Sequence, residues 1–144
     1  MKLTKEQHSK FILEMKKIDI ACIIDDDPIF VYGAEALMQL TNFCNSLMVF
    51  HNGDEALRNL KILISANDKL PDVILLDLNM PVMDGWEFLD EFTTIPVNKE
   101  IIIYIVSSSI DPTDLDKAKS YSEVSNYIVK PVTTDTLEDI LNSF

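Results

Sequence analysis

The sequence predicts a doubly wound α/β fold, in which a five-stranded parallel sheet carries helices on both faces. Short apolar runs rich in branched residues alternate with amphipathic stretches along the chain. The runs do not alternate polar with apolar residues, which is typical of strands buried on both faces. A regular alternation of strands and helices implies right-handed crossovers, and such crossovers join parallel strands.

Five apolar runs are predicted to be central strands of this sheet. Each run is four to six residues long, apart from a three-residue run near the end of the chain. We expect strands at residues 20–24, 47–50, 73–76, 101–106 and 127–129.

Helix start signals lie between the runs. Asp27 and Asp111 each precede a proline, which places an N-cap acid before proline at the first helical position. Asp84 with Glu87 three residues later predicts a capping box. Apolar residues at helical spacing also follow Gly53 and end the chain. These two sets are Ala56, Leu57, Leu60 and Ile64, and Leu137, Ile140, Leu141 and Phe144.

Residues 1–17 are interpreted as an N-terminal extension of a single domain at residues 18–144. Thr4 and Gln7 have the spacing of a helix cap. Phe11, Ile12 and Met15 would lie on one face of such a helix. The extension is therefore either an accessory helix packed on the domain or a frayed end, and its large apolar residues favour the helix.

The charge balance argues against two classes of partner. The chain has 12 Lys plus Arg against 24 Asp plus Glu, which gives a net charge of -12. Nucleic acids and anionic membranes attract basic surfaces, so we expect neither as a partner. The apolar runs are far shorter than the ~18 residues of a membrane span, and the polar start of the chain shows no secretion signal. We expect a cytoplasmic protein.

Polar residues follow four of the predicted strands, at the edge where open parallel sheets bind ligands. Asp25 and Asp26 follow the first strand, Asp77 the third, Ser107 the fourth and Lys130 the fifth. Close carboxylates repel one another by about 4 kcal/mol per pair, so the predicted cluster needs a cation. Oxygen ligands at an open rim favour Mg²⁺.

Asp77 is the predicted nucleophile of this edge. Its carboxylate is ionised at neutral pH and can attack a phosphoryl group to form an acyl phosphate. Mg²⁺ and the ammonium of Lys130 would stabilise the charge on the transferring oxygens. The pattern therefore predicts phosphoryl transfer to Asp77.

Four segments stand in order at successive strand ends: IIDDDP at 23–28, LDLNMPVMDG at 76–85, VS at 106–107 and YIVKP at 127–131. Together they resemble the receiver domain of two-component response regulators, the family of the chemotaxis regulator CheY. The resemblance covers residues 18–144 and implies a flavodoxin-like, CheY-like fold.

The resemblance implies that Asp77 is the phosphoacceptor of a phosphoprotein and that a histidine kinase or a histidine phosphotransfer protein is the donor. It implies a Mg²⁺ site made of Asp25, Asp26, Asp77 and the backbone carbonyl of Asn79, with Asp26 the more direct ligand of the acidic pair.

The resemblance also assigns the remaining conserved roles of that family to positions of this chain. Ser107 would be the switch hydroxyl that bonds the phosphoryl group, and Lys130 would pair with that group. Tyr127 would be the aromatic side chain that moves inward, and the bond between Lys130 and Pro131 would be cis.

The predicted function is that of a single-domain response regulator whose phosphorylation changes the surface it offers to a downstream target protein. Such a chain is not an enzyme, although it assists its own phosphorylation and dephosphorylation. A relay intermediate of a phosphorelay is an open alternative. A Mg²⁺-dependent phosphatase is less favoured, because Asn79 stands where such hydrolases carry a general acid. A constitutive binding module is disfavoured by the presence of Asp26, Asp77 and Lys130 together.

Overall fold

One sheet of five parallel strands organises the chain, in a computed structural model that describes residues 2–7, 18–109 and 111–144. The strands are β1 (Ile20–Ile24), β2 (Ser46–Phe50), β3 (Val73–Leu76), β4 (Ile102–Ser107) and β5 (Val124–Val129). The helices between and after them are α1 (Pro28–Leu40), α2 (Gly53–Ser65), α3 (Gly85–Phe92), α4 (Pro112–Ala118) and α5 (Thr134–Asn142). In the described ranges, no helix has the length and hydropathy needed to cross a membrane.

The strand order β2-β1-β3-β4-β5 confirms the predicted doubly wound sheet. Successive residues of a strand point to opposite faces, so each central strand feeds two cores. Cys22 and Ile24 pack with residues of α2, α3 and α4, whereas Ala21 and Ile23 pack with residues of α1 and α5. The sheet is therefore covered on both sides, and its carboxyl edge is left free for function.

The expectation that all five strands are central is wrong for β2 and β5. Each pairs with only one neighbour, since β2 lies beside β1 and β5 beside β4 at the two borders of the sheet. Their side chains are half-buried or exposed, in contrast to the buried residues of β1 and β3. An apolar run does not reveal how many neighbours its strand will have, because edge and central positions are decided by the order of the strands.

The predicted helix caps are confirmed. The Asp27 carboxylate accepts a hydrogen bond from the N–H of Ile29 at 3.0 Å, and Asp111 caps α4 in the same way. Asp84 and Glu87 form a reciprocal capping box at the start of α3. The carboxamide oxygen of Asn52 caps α2 by accepting from the N–H of Glu55 at 2.8 Å.

The N-terminal extension is described only over residues 2–7. There the N–H of Thr4 donates to Gln7 Oε1 at 3.0 Å, and the N–H of Gln7 donates to Thr4 Oγ1 at 3.1 Å. This reciprocal pair matches the predicted cap, and residues 5–7 are helical. The predicted apolar face of Phe11, Ile12 and Met15 lies outside the described residues.

Asp72 ties three strands together at the amino edge of the sheet. Its carboxylate accepts hydrogen bonds from the N–H groups of Asp19 at 2.8 Å and Ile20 at 3.2 Å. The other carboxylate oxygen lies 2.6 Å from Lys99 Nζ, and the Asp72 carbonyl accepts from the N–H of Ile102. Burial acts to raise the pKa of this carboxyl, but Lys99 and the backbone donors outweigh burial and lower the pKa.

Replacement of Asp72 by Ala is expected to lower the free energy of unfolding by about 1–3 kcal/mol at pH 7, because two backbone N–H groups and the Lys99 ammonium lose their acceptor. The lowered pKa means that this stabilisation is present above the ordinary carboxyl pKa and is lost as the pH falls through the folded-state value. The difference from the wild type should therefore shrink in strong acid.

Urea denaturation at pH 7 and in strong acid measures this effect. Asp68→Ala, a substitution of an exposed acid near the same edge, is the control and should change stability by less than about 0.5 kcal/mol. Equal losses for the two variants would contradict the role of Asp72.

Candidate functional site

Four strands deliver polar side chains to the carboxyl edge of the sheet. Asp25 directly follows β1, Asp77 follows β3, Ser107 is the last residue of β4, and Lys130 follows β5. Because neighbouring parallel strands end at the same edge, residues that are far apart in the sequence meet there.

Backbone hydrogen bonds beyond the strand ends hold three of these residues in place. The N–H of Asp25 donates to the carbonyl of the last residue of β2 at 3.0 Å. The N–H of Asp77 donates to the last residue of β1 at 2.9 Å, and that of Lys130 donates to Ser107 at 2.8 Å. The sheet ladder thus extends one residue into the site, which limits the movement of these Cα atoms.

Three carboxylates form the centre of the site. One oxygen of each of Asp25, Asp26 and Asp77 lies within 4.8 Å of the other two. Asp25 and Asp77 are buried, with 1% and 6% of their surface exposed, while Asp26 is open to solvent. Two buried acids and one exposed acid therefore share a small volume that solvent can reach from one side.

Lys130 supplies positive charge to this cluster. Its Nζ atom lies 2.8 Å from Asp25 Oδ2 and 3.9 Å from Asp77 Oδ1. The contact with Asp25 is an ion pair without hydrogen-bonding geometry, so the buried Oδ2 atom has no hydrogen-bond partner among the described residues. The other oxygen of Asp25 accepts from the N–H of Asp27 at 2.9 Å.

The charge balance around Asp77 changes its acidity. Burial raises the pKa of the Asp77 carboxyl to about 6, and the negative charges of Asp25 and Asp26 act in the same direction. Lys130 and the backbone N–H of Asn79 oppose this shift without cancelling it. One lysine is thus insufficient to offset the three acids.

The cluster fits a hard divalent cation. Carboxylate oxygens are the ligands that Mg²⁺ prefers, and a few of them at an open rim leave room for water ligands. No described residue donates a hydrogen bond to the buried Asp25 Oδ2 atom, and the Asp77 pKa is raised by burial and by the neighbouring negative charges. Both observations are what a site that requires a further cation would show.

Ser107 and Tyr127 meet through Ser109. Ser107 is buried, and its Oγ atom accepts a long hydrogen bond of 3.5 Å from the N–H of Ser109. The hydroxyl of Tyr127 donates to the carbonyl oxygen of Ser109 at 2.9 Å. The half-buried Tyr127 ring therefore belongs to the same turn as Ser107, at the border of the sheet.

Two further residues shape the site without having been predicted to do so. The ring centroid of Phe30 lies 4.4 Å from Lys130 Nζ. A Cβ atom on Gly85 would lie 2.4 Å from the carbonyl oxygen of Asp77 and 2.9 Å from the Cα of Leu78, so only glycine allows the start of α3 to approach β3. Gly85 ends the segment at residues 76–85 that carries part of the family resemblance, whereas the sequence indicates Phe30 only as an ordinary apolar residue of a helix.

The bond between Lys130 and Pro131 is cis, as the resemblance implied. The site as a whole combines a partly buried carboxylate, an ammonium group beside it and further acids that can hold a cation. Such an arrangement suits attack by the Asp77 carboxylate on an electrophile that carries several negatively charged oxygens.

Comparisons with known proteins give one consistent family. A family model described as the response regulator receiver domain matches residues 21–142. The chain is 33% identical over 96 residues to the sensor histidine kinase CheAY of Helicobacter pylori, which is 67% of this chain and 11% of that protein. It is 26% identical over 121 residues to the protein PilH of Pseudomonas aeruginosa, which is 84% of this chain and 93% of PilH. The chain thus spans a small part of CheAY and nearly all of PilH.

Solved structures share the fold over most of the chain. A two-component response regulator from Cytophaga hutchinsonii has a TM-score of 0.81 and 32% identity, over 89% of this chain and 97% of that one. The phosphorylated cyanobacterial phytochrome response regulator RcpA has a TM-score of 0.70 and 27% identity, over 87% and 89% of the two chains.

Replacement of Asp77 by Asn is expected to stabilise the metal-free protein at pH 8. The folded-state pKa of about 6 lies above the ordinary carboxyl value, so the folded state binds the proton more tightly than the unfolded state does. Wild-type stability should therefore fall as the pH rises from about 4 to about 6 and stay low above that range. The variant should gain about 3 kcal/mol at pH 8 and little at pH 4.

Urea titrations in EDTA at the two pH values test this prediction. The control is Asp116→Asn, the same substitution at a side chain that is 83% exposed on α4. A gain that is equal at both pH values would show that the charge of Asp77 is not its cause.

Proposed function

The chain belongs to the family of response regulator receiver domains, and from this premise we propose that it is a cytoplasmic switch operated by phosphorylation of Asp77. The phosphoryl donor is a histidine kinase or a histidine phosphotransfer protein, and a downstream target protein reads the phosphorylated state. The observation that carries the proposal is the buried Asp77 carboxylate, which has Lys130 Nζ at 3.9 Å and two further acids within 4.8 Å.

The proposed reaction is a transfer between two side chains. A carboxylate oxygen of Asp77 attacks the phosphorus atom of a phosphohistidine, the phosphorus–nitrogen bond breaks, and its electron pair stays on the imidazole nitrogen, which takes up a proton. The product is an acyl phosphate on Asp77. Lys130 stabilises the charge of the transferring oxygens. The hydrogen bond from the backbone N–H of Asp77 to the carbonyl of Ile24 in β1 keeps the nucleophile in place.

Asp25, Asp26, Asp77 and the backbone carbonyl of Asn79 are the groups that we propose to hold Mg²⁺. When bound, the ion neutralises charge on the carboxylates and on the phosphoryl oxygens. The buried Asp25 Oδ2 atom, which accepts no hydrogen bond from the described residues, and the raised pKa of Asp77 support this assignment. The chain itself contributes the fixed positions of the acids, and it orients Asp25 through the N–H of Asp27.

The change of surface is proposed to begin at Ser107. Its hydroxyl, which accepts a long hydrogen bond from the N–H of Ser109, moves to donate a stronger hydrogen bond to a phosphoryl oxygen. The Tyr127 hydroxyl donates a hydrogen bond to the carbonyl oxygen of Ser109. Movement of the turn that contains Ser109 therefore releases the Tyr127 ring to rotate inward. The altered surface is then β5 and the neighbouring helix α4, and a target that prefers it stabilises the phosphorylated state in return.

Two similarities support this proposal. The Cytophaga hutchinsonii chain is a two-component response regulator of nearly the same extent, and RcpA has been crystallised in a phosphorylated form. We propose that the present chain works as a signalling protein that assists its own phosphorylation and dephosphorylation.

Replacement of Asp77 by Asn is expected to abolish Mg²⁺-dependent labelling by acetyl phosphate, because an amide is not a nucleophile toward phosphorus at neutral pH. The wild type should gain one phosphoryl group that resists acid and is released by base. Intact-protein mass spectrometry measures the label, and Asp116→Asn should be labelled like the wild type. Stoichiometric label of the same stability on Asp77→Asn would refute the assignment.

A phosphatase assay separates the proposed switch from a hydrolytic enzyme. With p-nitrophenyl phosphate and Mg²⁺, we expect no sustained turnover, since Asn79 cannot act as a general acid toward the leaving group. Many turnovers per chain that disappear in Asp77→Asn would favour the phosphatase.

Replacement of Ser107 by Ala is expected to separate labelling from switching. The variant should still be phosphorylated on Asp77, but the switched population should fall about fivefold, the equivalent of about 1 kcal/mol for one hydrogen bond. Fluorotyrosine at Tyr127 reports the switch by ¹⁹F NMR when Mg²⁺ and beryllofluoride are added. Ser108→Ala, at the exposed neighbouring serine, is the control; an unreduced Tyr127 shift in Ser107→Ala would contradict the mechanism.

A further inference from the structure

The ammonium of Lys130 contacts two different kinds of electronegative group, carboxylates and an aromatic ring. On one side are the carboxylates, with Asp25 Oδ2 at 2.8 Å and Asp77 Oδ1 at 3.9 Å. On another side is the ring of Phe30, whose centroid is 4.4 Å from Nζ. A ring face carries partial negative charge and attracts a cation within about 6 Å. The Lys130 head group is therefore enclosed by three electronegative surfaces.

Phe30 is itself firmly placed. It is the third residue of α1, whose first turn is fixed by the Asp27 cap and by proline at the first helical position. Its side chain packs against the core cluster formed by α1, α5 and the sheet. The ring is thus anchored to the scaffold, whereas the lysine side chain has four flexible methylene groups.

A groove gives Lys130 room to leave the site. Phe30 and Lys130 both line this groove, which has a volume of about 680 Å³ and is open to solvent. Asp27, an exposed acid, also lines the groove and would attract an ammonium that left the cluster. A lysine in this position needs a restraint on the groove side, and the only carboxylates that contact its Nζ atom, among the described residues, lie in the cluster.

We propose that Phe30 is a positioning residue for Lys130, and that its ring face keeps the ammonium beside Asp77, where it meets the incoming phosphoryl oxygen. This inference rests on the proposed function, because the phosphoryl group gives the position its importance. It goes beyond that function by assigning a role to a helix residue outside the acidic cluster and outside the strand ends. A ring that served only as core packing would act through its shape, whereas a positioning ring acts through the charge on its face.

Fluorinated phenylalanines at position 30 separate these two roles. Successive fluorine atoms withdraw charge from the ring face and change its shape little. The rate of labelling by acetyl phosphate at saturating Mg²⁺ should fall stepwise with fluorine number, by about threefold to tenfold for the pentafluoro ring. Phe30→Leu should show a similar loss, and Phe30→Tyr or Phe30→Trp should stay within about twofold of the wild type.

The control places the same fluorinated residues at Phe92. Phe92 lies on α3, and its ring stacks on that of Phe88 with the two centroids 5.1 Å apart. It belongs to the apolar cluster on the other face of the sheet from Phe30. Its fluorination should leave the labelling rate unchanged. A matching fall at Phe92 would mean that fluorine acts through stability, and it would overturn the proposal.

A second readout does not depend on phosphorylation. The ring current of Phe30 should shift the NMR signals of the Lys130 Cε protons upfield, and Phe30→Leu should remove that shift in metal-free protein. If Asp77 is labelled but the labelling rate does not change across the fluorine series, the positioning role is overturned and the proposed function is unaffected. Absence of any label on the wild type overturns both, and absence of the ring-current shift overturns the contact on which the inference depends.

Discussion

Uncompensated negative charge at the carboxyl edge of the sheet is the constraint that governs this protein. Three carboxylates have oxygen atoms within 4.8 Å of one another, and two of these carboxylates are buried. Among the described residues, the cation beside them is Lys130, whose Nζ atom lies 2.8 Å from Asp25 Oδ2. The repulsion is visible in the Asp77 pKa, which burial and the two neighbouring acids raise to about 6. A folded chain tolerates such a cluster only if the rest of the structure holds it together, and the same uncompensated negative charge would attract a cation.

The scaffold meets this demand by separating rigid parts from parts that can respond. Two apolar clusters cover the central strands, and the Asp72 and Lys99 pair ties their amino ends. Asp25 and Asp77 directly follow those central strands, and their backbone N–H groups are held by hydrogen bonds to the neighbouring strands. Tyr127, by contrast, lies on the border strand β5, where side chains are half-buried or exposed. Rearrangement there would disturb less packing than rearrangement at a central strand.

Sequence reasoning succeeded where a residue's type and its neighbours along the chain decide its role. Asp27, Asp84 and Asp111 cap helices as expected, because capping is a contact over two or three residues. It failed for β2 and β5, which were expected to be central strands. It gave no signal for Phe30, whose contact with Lys130 joins residues one hundred positions apart. Apolar residues on a helix are usually core, so nothing in the pattern set this one apart.

The sequence by itself determined the alternation of strands and helices along the chain, the caps and the set of polar residues at strand ends, because these depend on periodicity and on short-range hydrogen bonding. The sequence also predicted that Asp77 lies at the carboxyl edge of the sheet, through its place after a buried strand. Only the tertiary structure decided which strands became borders and that an aromatic ring would face the Lys130 ammonium. It also decided that Asp25 Oδ2 would be buried with no hydrogen bond from the described part of the chain. These are through-space facts, and they arise from packing between elements that the linear order of residues does not encode directly.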